Sequence, residues 1–249
     1  MNRIDVRNLS KHFTLHLQDG LQLPILANVD LQVDAGECVV LHAPSGAGKS
    51  TLLRCLYANY RASSGSVRIR HDDTWVDIAS APAREIHAVR HATLGFVTQF
   101  LRVIPRISTI DLVTEPLLSR AVPRAEARER AAGMLTRLGI AQRLWSVPPA
   151  TFSGGEQQRV NIARTLIVDY PILLLDEPTA SLDETNRDTV IRMIDERRAS
   201  GVAIVGIFHD RALRDALATR LFPIPPLQPI SLVASAPVIV DPLNNELTA

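Results

Sequence analysis

The stretch Ala43-Pro44-Ser45-Gly46-Ala47-Gly48-Lys49-Ser50, followed by Thr51, constrains this chain more than any other. It follows an apolar run, Cys38–His42, and leads into a helical pattern that starts near Lys49 and runs to Tyr57. Glycines at 46 and 48 let the backbone turn so that successive N–H groups face inward, and the positive end of the following helix adds to the same anion site. A glycine loop between a strand and a helix reads as a phosphate cradle, so Ala43 to Thr51 are expected to hold a nucleoside triphosphate. In that cradle Lys49 would bridge the β- and γ-phosphates and the Ser50 hydroxyl would hold Mg²⁺. The first loop position is Ala43 rather than glycine, which is tolerable if its φ stays negative. Of 27 cationic residues only Lys11 and Lys49 are lysine. Lys49 is thus a compact ammonium kept where a guanidinium would not fit.

The rest of the chain gives this loop an α/β setting. Short apolar runs at Gly95–Thr98, Ile172–Leu175 and Val202–Phe208 join Cys38–His42 as expected buried strands of a mostly parallel sheet. Helical patterns cover Arg124–Leu138, Glu156–Val168 and Glu184–Ala199, and the segment from Phe100 to Thr151 reads as a helical insertion. The formal net charge of +1 gives no global pull toward nucleic acid. Cys38 and Cys55 are too few for a disulfide framework and suit a reducing compartment. The uncharged stretch Leu221 to Val240 approaches membrane-spanning length, but Pro223, Pro225, Pro226, Pro229 and Pro237 would break a spanning helix. It is expected to be a loosely extended tail, without membrane insertion.

Two further motifs suit the loop. Pro171 to Pro178 is an apolar strand ending in Asp176 and Glu177. Side chains alternate along a strand, so the two carboxylates should diverge, with Asp176 near the metal through water and Glu177 as general base for an attacking water. Phe152-Ser153-Gly154-Gly155-Glu156-Gln157 places Ser153 as an N-cap and Glu156 at capping-box spacing. A capping box does not need two glycines, which cost helix propensity. Their presence suggests a second anion-binding helix end, and so a nucleotide clamped between two copies.

The ordered set Lys49, Gln99, SGGEQ, ILLLDEP, Ser181-Leu182-Asp183 and His209 resembles an ATP-binding-cassette ATPase over about residues 1–220. The resemblance implies a P-loop NTPase core with a RecA-like mixed sheet, an N-terminal antiparallel β subdomain and an inserted α-helical subdomain at about 100–165. It implies a cassette domain over 1–221 and a proline-rich tail over 222–249. It also implies that Gln99 links the metal site to the helical subdomain. Ser153 to Gln157 (Ser153, Gly154, Gly155, Glu156, Gln157) would close over the γ-phosphate held by the opposite subunit. Asp183 would be the D-loop residue, and His209 would contact the γ-phosphate beside Glu177. Phe13 sits where such cassettes stack an aromatic on adenine, and it is equally readable as an ordinary core residue. ATP and Mg²⁺ are the implied ligands, and a second copy or a paralogous cassette subunit the implied partner.

Several segments are similar to a cassette protein of the carbon–phosphorus lyase system: Leu56–Tyr60, Gln99–Ser108, Thr151-Phe152, Asn161–Arg164, Val168–Pro171 and Gly206–Asp210. That resemblance implies a cytoplasmic ATPase that acts with a lyase core complex in phosphonate breakdown. The chain lacks a CxxxCxxC cluster motif for radical chemistry. The alternative is the ATPase subunit of a membrane transporter of the lipoprotein-release or macrolide-export type, whose SGGEQQR run is very similar.

Overall fold

The computed structural model describes residues 1–15, 20–99, 101, 106–208 and 210–227. Strands β1 (Asn2–Leu15) and β2 (Leu21–Asp34) form a long antiparallel pair, and β3 (Cys38–His42) follows. Helix α1 (Lys49–Leu56) precedes β4 (Ser64–His71), β5 (Thr74–Asp77), α2 (Ala83–Ala92) and β6 (Leu94–Val97). Then come α3 (Thr109–Leu118), α4 (Arg124–Arg137), two short 3₁₀ turns and α5 (Gly154–Leu166). The chain continues through β7 (Ile172–Asp176), α6 (Glu184–Ala199), β8 (Ala203–Ile207), α7 (Arg211–Leu217) and β9 (Arg220–Pro223).

These strands make two sheets. An antiparallel sheet has the order β2-β1-β4-β5, and a parallel sheet has the order β6-β7-β8-β3-β9. The parallel strands are covered on both faces, which is why they read as unbroken apolar runs. Val39 and Leu41 of β3, Ile172 and Leu174 of β7, and Val205 of β8 share a core with α1 and the antiparallel sheet. The alternate residues Cys38, Val40, Leu173, Leu175 and Ile204 face a second core, shared with α3, α4, α5 and α6. Each fully buried Leu or Ile in these layers contributes about 2 kcal/mol of transfer free energy. Burial pushes the Cys38 thiol up to about 12 and the Cys55 thiol up to about 11, so both behave as small apolar groups.

Helix α4 buries Ala127, Ala131 and Leu135, one every four residues, and packs on α3. The helical insertion therefore lies between β6 and β7, as its lack of strand signals predicts. Helix α3 falls within that insertion, where no separate helical pattern is predicted, and helix α2 is an addition. α2 buries only Val89, and α3 carries Pro116 within it, so neither shows a clean helical stripe.

The expected boundary at 221/222 needs correction, because β9 runs through it. Leu221 pairs with Val40, Phe222 with Leu41 and Pro223 with His42, and the Ile224 N–H donates to His42 O at 3.2 Å. The core sheet extends at least to Pro223 because β9 is its edge strand, where a proline's missing N–H leaves no ladder bond unmade. Residues 228–249 of the expected tail lie outside the described residues. Among the described residues, no helix is long and apolar enough to cross a membrane.

Candidate functional site

The parallel sheet collects the predicted chemistry at the C-terminal ends of its strands, where open α/β sheets bind ligands. The loop from Ala43 leaves β3, Asp176 ends β7, and Gln99 follows β6 two residues on. His209, expected beside Glu177, lies outside the described residues.

The loop's glycines have different reasons. Gly46 has φ +80°, and an added Cβ would meet nothing within 4 Å, so its requirement is purely conformational. Gly48 has φ +89°, and a Cβ there would come within 2.9 Å of both the Ile25 carbonyl and Leu26 Cδ2. The second strand of the antiparallel sheet thus presses on the loop and leaves room only for glycine. Ala43 keeps a negative φ, which meets the condition set for it. Gly48 is the N-cap of α1 and supplies no side-chain cap, so the first-turn N–H groups of Lys49, Ser50 and Thr51 have no partner within the helix. Lys49 Nζ donates to Ala43 O at 2.8 Å and Pro44 O at 2.9 Å, which brings its charge to the loop's own backbone. Pro44, Ser45 and Gly46 are exposed and Ala47 is half-buried.

Ser50 Oγ donates to Asp176 Oδ1 at 3.0 Å, and the Asp176 side chain is buried. A hydroxyl and a carboxylate held together at a phosphate loop are hard oxygen donors of the kind Mg²⁺ takes, so these residues fit that ion. Glu177 does diverge from Asp176, but for a different reason than strand alternation. Strand β7 ends at Asp176, and Glu177 turns into the left-handed region at φ +52°. Its N–H is tied to Ile207 O at 3.2 Å, so the end of β8 holds the turn. A non-glycine residue in this region costs about 1–2 kcal/mol. Gln99 Nε2 donates to Glu177 Oε2 at 3.1 Å, which brings together two predicted residues from the segments that follow β6 and β7.

The SGGEQ run forms a separate cluster. Ser153 caps α5 in a full capping box: the Glu156 N–H donates to Ser153 Oγ at 3.3 Å and the Ser153 N–H to Glu156 Oε2 at 2.9 Å. The Ser153 hydroxyl also donates to Glu156 Oε2 at 2.7 Å, and this bond above all holds the Glu156 carboxyl below its ordinary range. Gln157 Nε2 donates to Phe152 O at 3.0 Å. The two glycines differ here too. Gly154 faces open space, whereas a Cβ on Gly155 would come within 2.7 Å of Ser181 O. Asp183 caps α6, accepting from the Asn186 N–H at 2.9 Å, and that bond lowers its pKa. Among the described residues, no hydrogen bond joins Ser153 to Gln157 with the phosphate loop of the same chain.

Phe13 is half-buried rather than part of either core. Its ring meets Tyr60 edge-to-face at 5.2 Å, and Lys11 Nζ stands 4.7 Å from its centroid, which gives the second lysine a cation–π partner.

Sequence reasoning missed Gln158 and Asn161. Both are buried polar residues of α5, and both donate to the Thr98 carbonyl beside Gln99. The polar stripe Gln158, Asn161, Thr165 at three- and four-residue spacing was the available signal. A groove of about 1020 Å³ opens beside this face, with Gln99 and Asp176 among its lining residues and Arg54, Arg90, Arg120 and Arg164 around them.

The ABC transporter family model matches residues 26–180. Over 219 residues the chain is 35% identical to the lipoprotein-releasing system ATP-binding protein LolD of Syntrophus aciditrophicus, covering 88% of this chain and 95% of that one. It is 40% identical over 188 residues to the macrolide export ATP-binding/permease protein MacB of Rhodopseudomonas palustris, covering 76% of this chain but only 28% of that protein's length. Among solved structures, the dimeric post-hydrolysis state of the ATP-binding cassette MJ0796 bound to ADP and Pi superposes with a TM-score of 0.80 at 28% identity, covering 89% of this chain and 94% of that one. The chain belongs to the ABC transporter family.

Proposed function

We propose that the chain is an ATP-hydrolysing cassette subunit that powers a membrane transporter of the lipoprotein-release or macrolide-export kind. The observation that carries this reading is the juxtaposition of Lys49, Ser50, Asp176, Glu177 and Gln99 at the C-terminal ends of the parallel strands, in a chain that is similar to LolD over nearly its whole length.

ATP is the substrate. The loop N–H groups from Ser45 to Thr51 and the Lys49 ammonium bind its phosphates, with Lys49 turning from Ala43 O and Pro44 O toward the phosphate oxygens. Ser50 Oγ and Asp176, with Gln99, are the residues that would hold Mg²⁺, which when bound offsets phosphate charge. Glu177 accepts a proton from the water that attacks the γ-phosphorus as the β–γ bridging bond breaks. Gln99 orients the Glu177 carboxylate through their hydrogen bond. Phe13 offers its ring to adenine, and His209 a hydrogen bond to the γ-phosphate. Ser153 to Gln157, with Asp183 two residues past the Ser181 carbonyl that Gly155 approaches, serve the site of a second copy or a paralogous subunit. The MJ0796 cassette, dimeric with ADP and Pi, supports that pairing.

A second reading, action with a carbon–phosphorus lyase core complex, keeps the same site and changes the partner. Its support is the Gln99–Ser108 resemblance, although 100 and 102–105 lie outside the described residues. The relatives named above favour transport instead.

The test is hydrolysis by the full chain with Mg²⁺ and ATP, alone and with each partner. The proposal expects Glu177→Gln to lower kcat by about a thousandfold while ATP affinity changes less than about threefold. It also expects a permease of the lipoprotein-release kind to raise the wild-type rate. Stimulation by a lyase core complex and not by the permease would overturn the transport reading.

A further inference from the structure

Helix α5 starts at the SGGEQ run and ends against β6, and one of its faces touches both segments that carry the catalytic pair. Gly155 is close enough to Ser181 to exclude any side chain. Three residues on, Gln158 Nε2 donates to Thr98 O at 3.4 Å and to Pro178 O at 3.2 Å. Another three residues on, Asn161 Nδ2 donates to Thr98 O at 2.8 Å. Thr98 immediately precedes Gln99, and Pro178 immediately follows Glu177.

We propose that Gln158 is a positioning residue for ATP hydrolysis, whose amide clamps the segments bearing Gln99 and Glu177 and so fixes the separation across which those two side chains meet. The proposal rests on the reading that Glu177 activates water at this site.

Three observations carry it. A single NH₂ group bridges two backbone carbonyls, Thr98 O just after β6 and Pro178 O two residues after β7, and so ties the segments that leave the two strands. Gln158 is only 3% exposed, and among the described residues its buried Oε1 has no hydrogen-bond partner. A core position chosen for stability alone would carry an apolar side chain of the same length, with no oxygen to leave unmet. The clamp also sits one turn beyond the capped end of α5. A displacement of that end by a nucleotide or a second copy would therefore move Thr98 and Pro178 with it.

Steady-state hydrolysis by the full chain tests this, with Gln158→Met, Gln99→Ala, the double variant and Asn161→Leu, alongside melting temperatures. Methionine keeps the length and removes the donors. The clamp predicts that Gln158→Met lowers kcat by about ten- to a hundredfold with KM for ATP within about threefold. It predicts that most of this loss disappears in the Gln99→Ala background, because the spacing matters only while the Gln99–Glu177 contact exists. Asn161→Leu, which cuts only the Thr98 tie, should lower kcat in the same sense by a smaller factor. An unchanged kcat in Gln158→Met overturns the clamp. So do losses that multiply independently in the double variant, and so does a rate loss that only tracks the fraction of folded protein. A full rate in Gln158→Met beside a dead Glu177→Gln leaves the site reading standing, whereas a full rate in Glu177→Gln overturns both.

Discussion

Helices α1 and α5 both begin behind or within glycines, yet the two ends are finished in opposite ways. At α1 the N-cap is Gly48, no side chain covers the first-turn N–H groups, and Lys49 adds a positive charge to the loop. At α5 the N-cap is Ser153, and the capping box with Glu156 pairs the Ser153 and Glu156 N–H groups from within. The uncapped end is prepared for an anion carried to it. The capped end is stable on its own and adds a carboxylate, so it can meet phosphate only as part of a larger arrangement. On the proposed function, one chain supplies one cradle and one closing surface for a different cradle.

Substitutions can sharpen this contrast, from the largest effect to the smallest. Lys49→Ala should weaken ATP binding by about a hundredfold or more, read by calorimetric titration, because the loop loses its only lysine. Ser153→Ala should leave that affinity in the single chain within about twofold; an equal loss from both would erase the distinction between the two ends. Gly48→Ala should destabilise the fold by about 3 kcal/mol in chemical denaturation, combining a left-handed φ with a clash against Ile25 O and Leu26. Gly46→Ala should cost about 1 kcal/mol, since only the backbone conformation opposes it.

At the other helix, Gly155→Ala should cost about 2 kcal/mol through its approach to Ser181 O. Gly154→Ala, in open space, should stabilise the helix start by up to about 0.5 kcal/mol. A neutral Gly155→Ala would show that the two glycines are not distinct. The cap itself is a modest contributor: Ser153→Ala should cost about 1 kcal/mol at pH 7. Glu156 has its folded pKa lowered by that cap, so its contribution is present above its ordinary value of about 4.3 and is lost as pH falls through the lower folded value. The Ser153→Ala penalty should therefore shrink in acid, as melting curves between pH 7 and pH 3 would report.

The legible parts of the sequence were those where one physical cause dominates. Buried strands such as Ile172 to Asp176 have no polar face to disguise them, and the loop glycines announce backbone turns. Strand β9 is hidden because Pro223 within it argues against a strand, and only its place at the sheet edge makes that proline acceptable. The divergence of Asp176 and Glu177 was expected from alternation, but the left-handed turn at Glu177 causes it, which no residue type there signals. Gln158 was passed over because its partners are backbone carbonyls about 20 and 60 residues away, invisible to local pattern. The lyase resemblance rests on six short segments, whereas the similarity over nearly the full cassette is to transporter ATPases.

The central claim is that each hydrolytic site needs two chains. The most direct measurement is the ATPase rate per chain from nanomolar to micromolar protein, with sedimentation of Glu177→Gln in Mg²⁺ and ATP. The account predicts a specific activity that rises with concentration and a variant that sediments at twice the monomer mass only with nucleotide. A rate per chain independent of concentration, from a protein that stays monomeric with ATP, would contradict it.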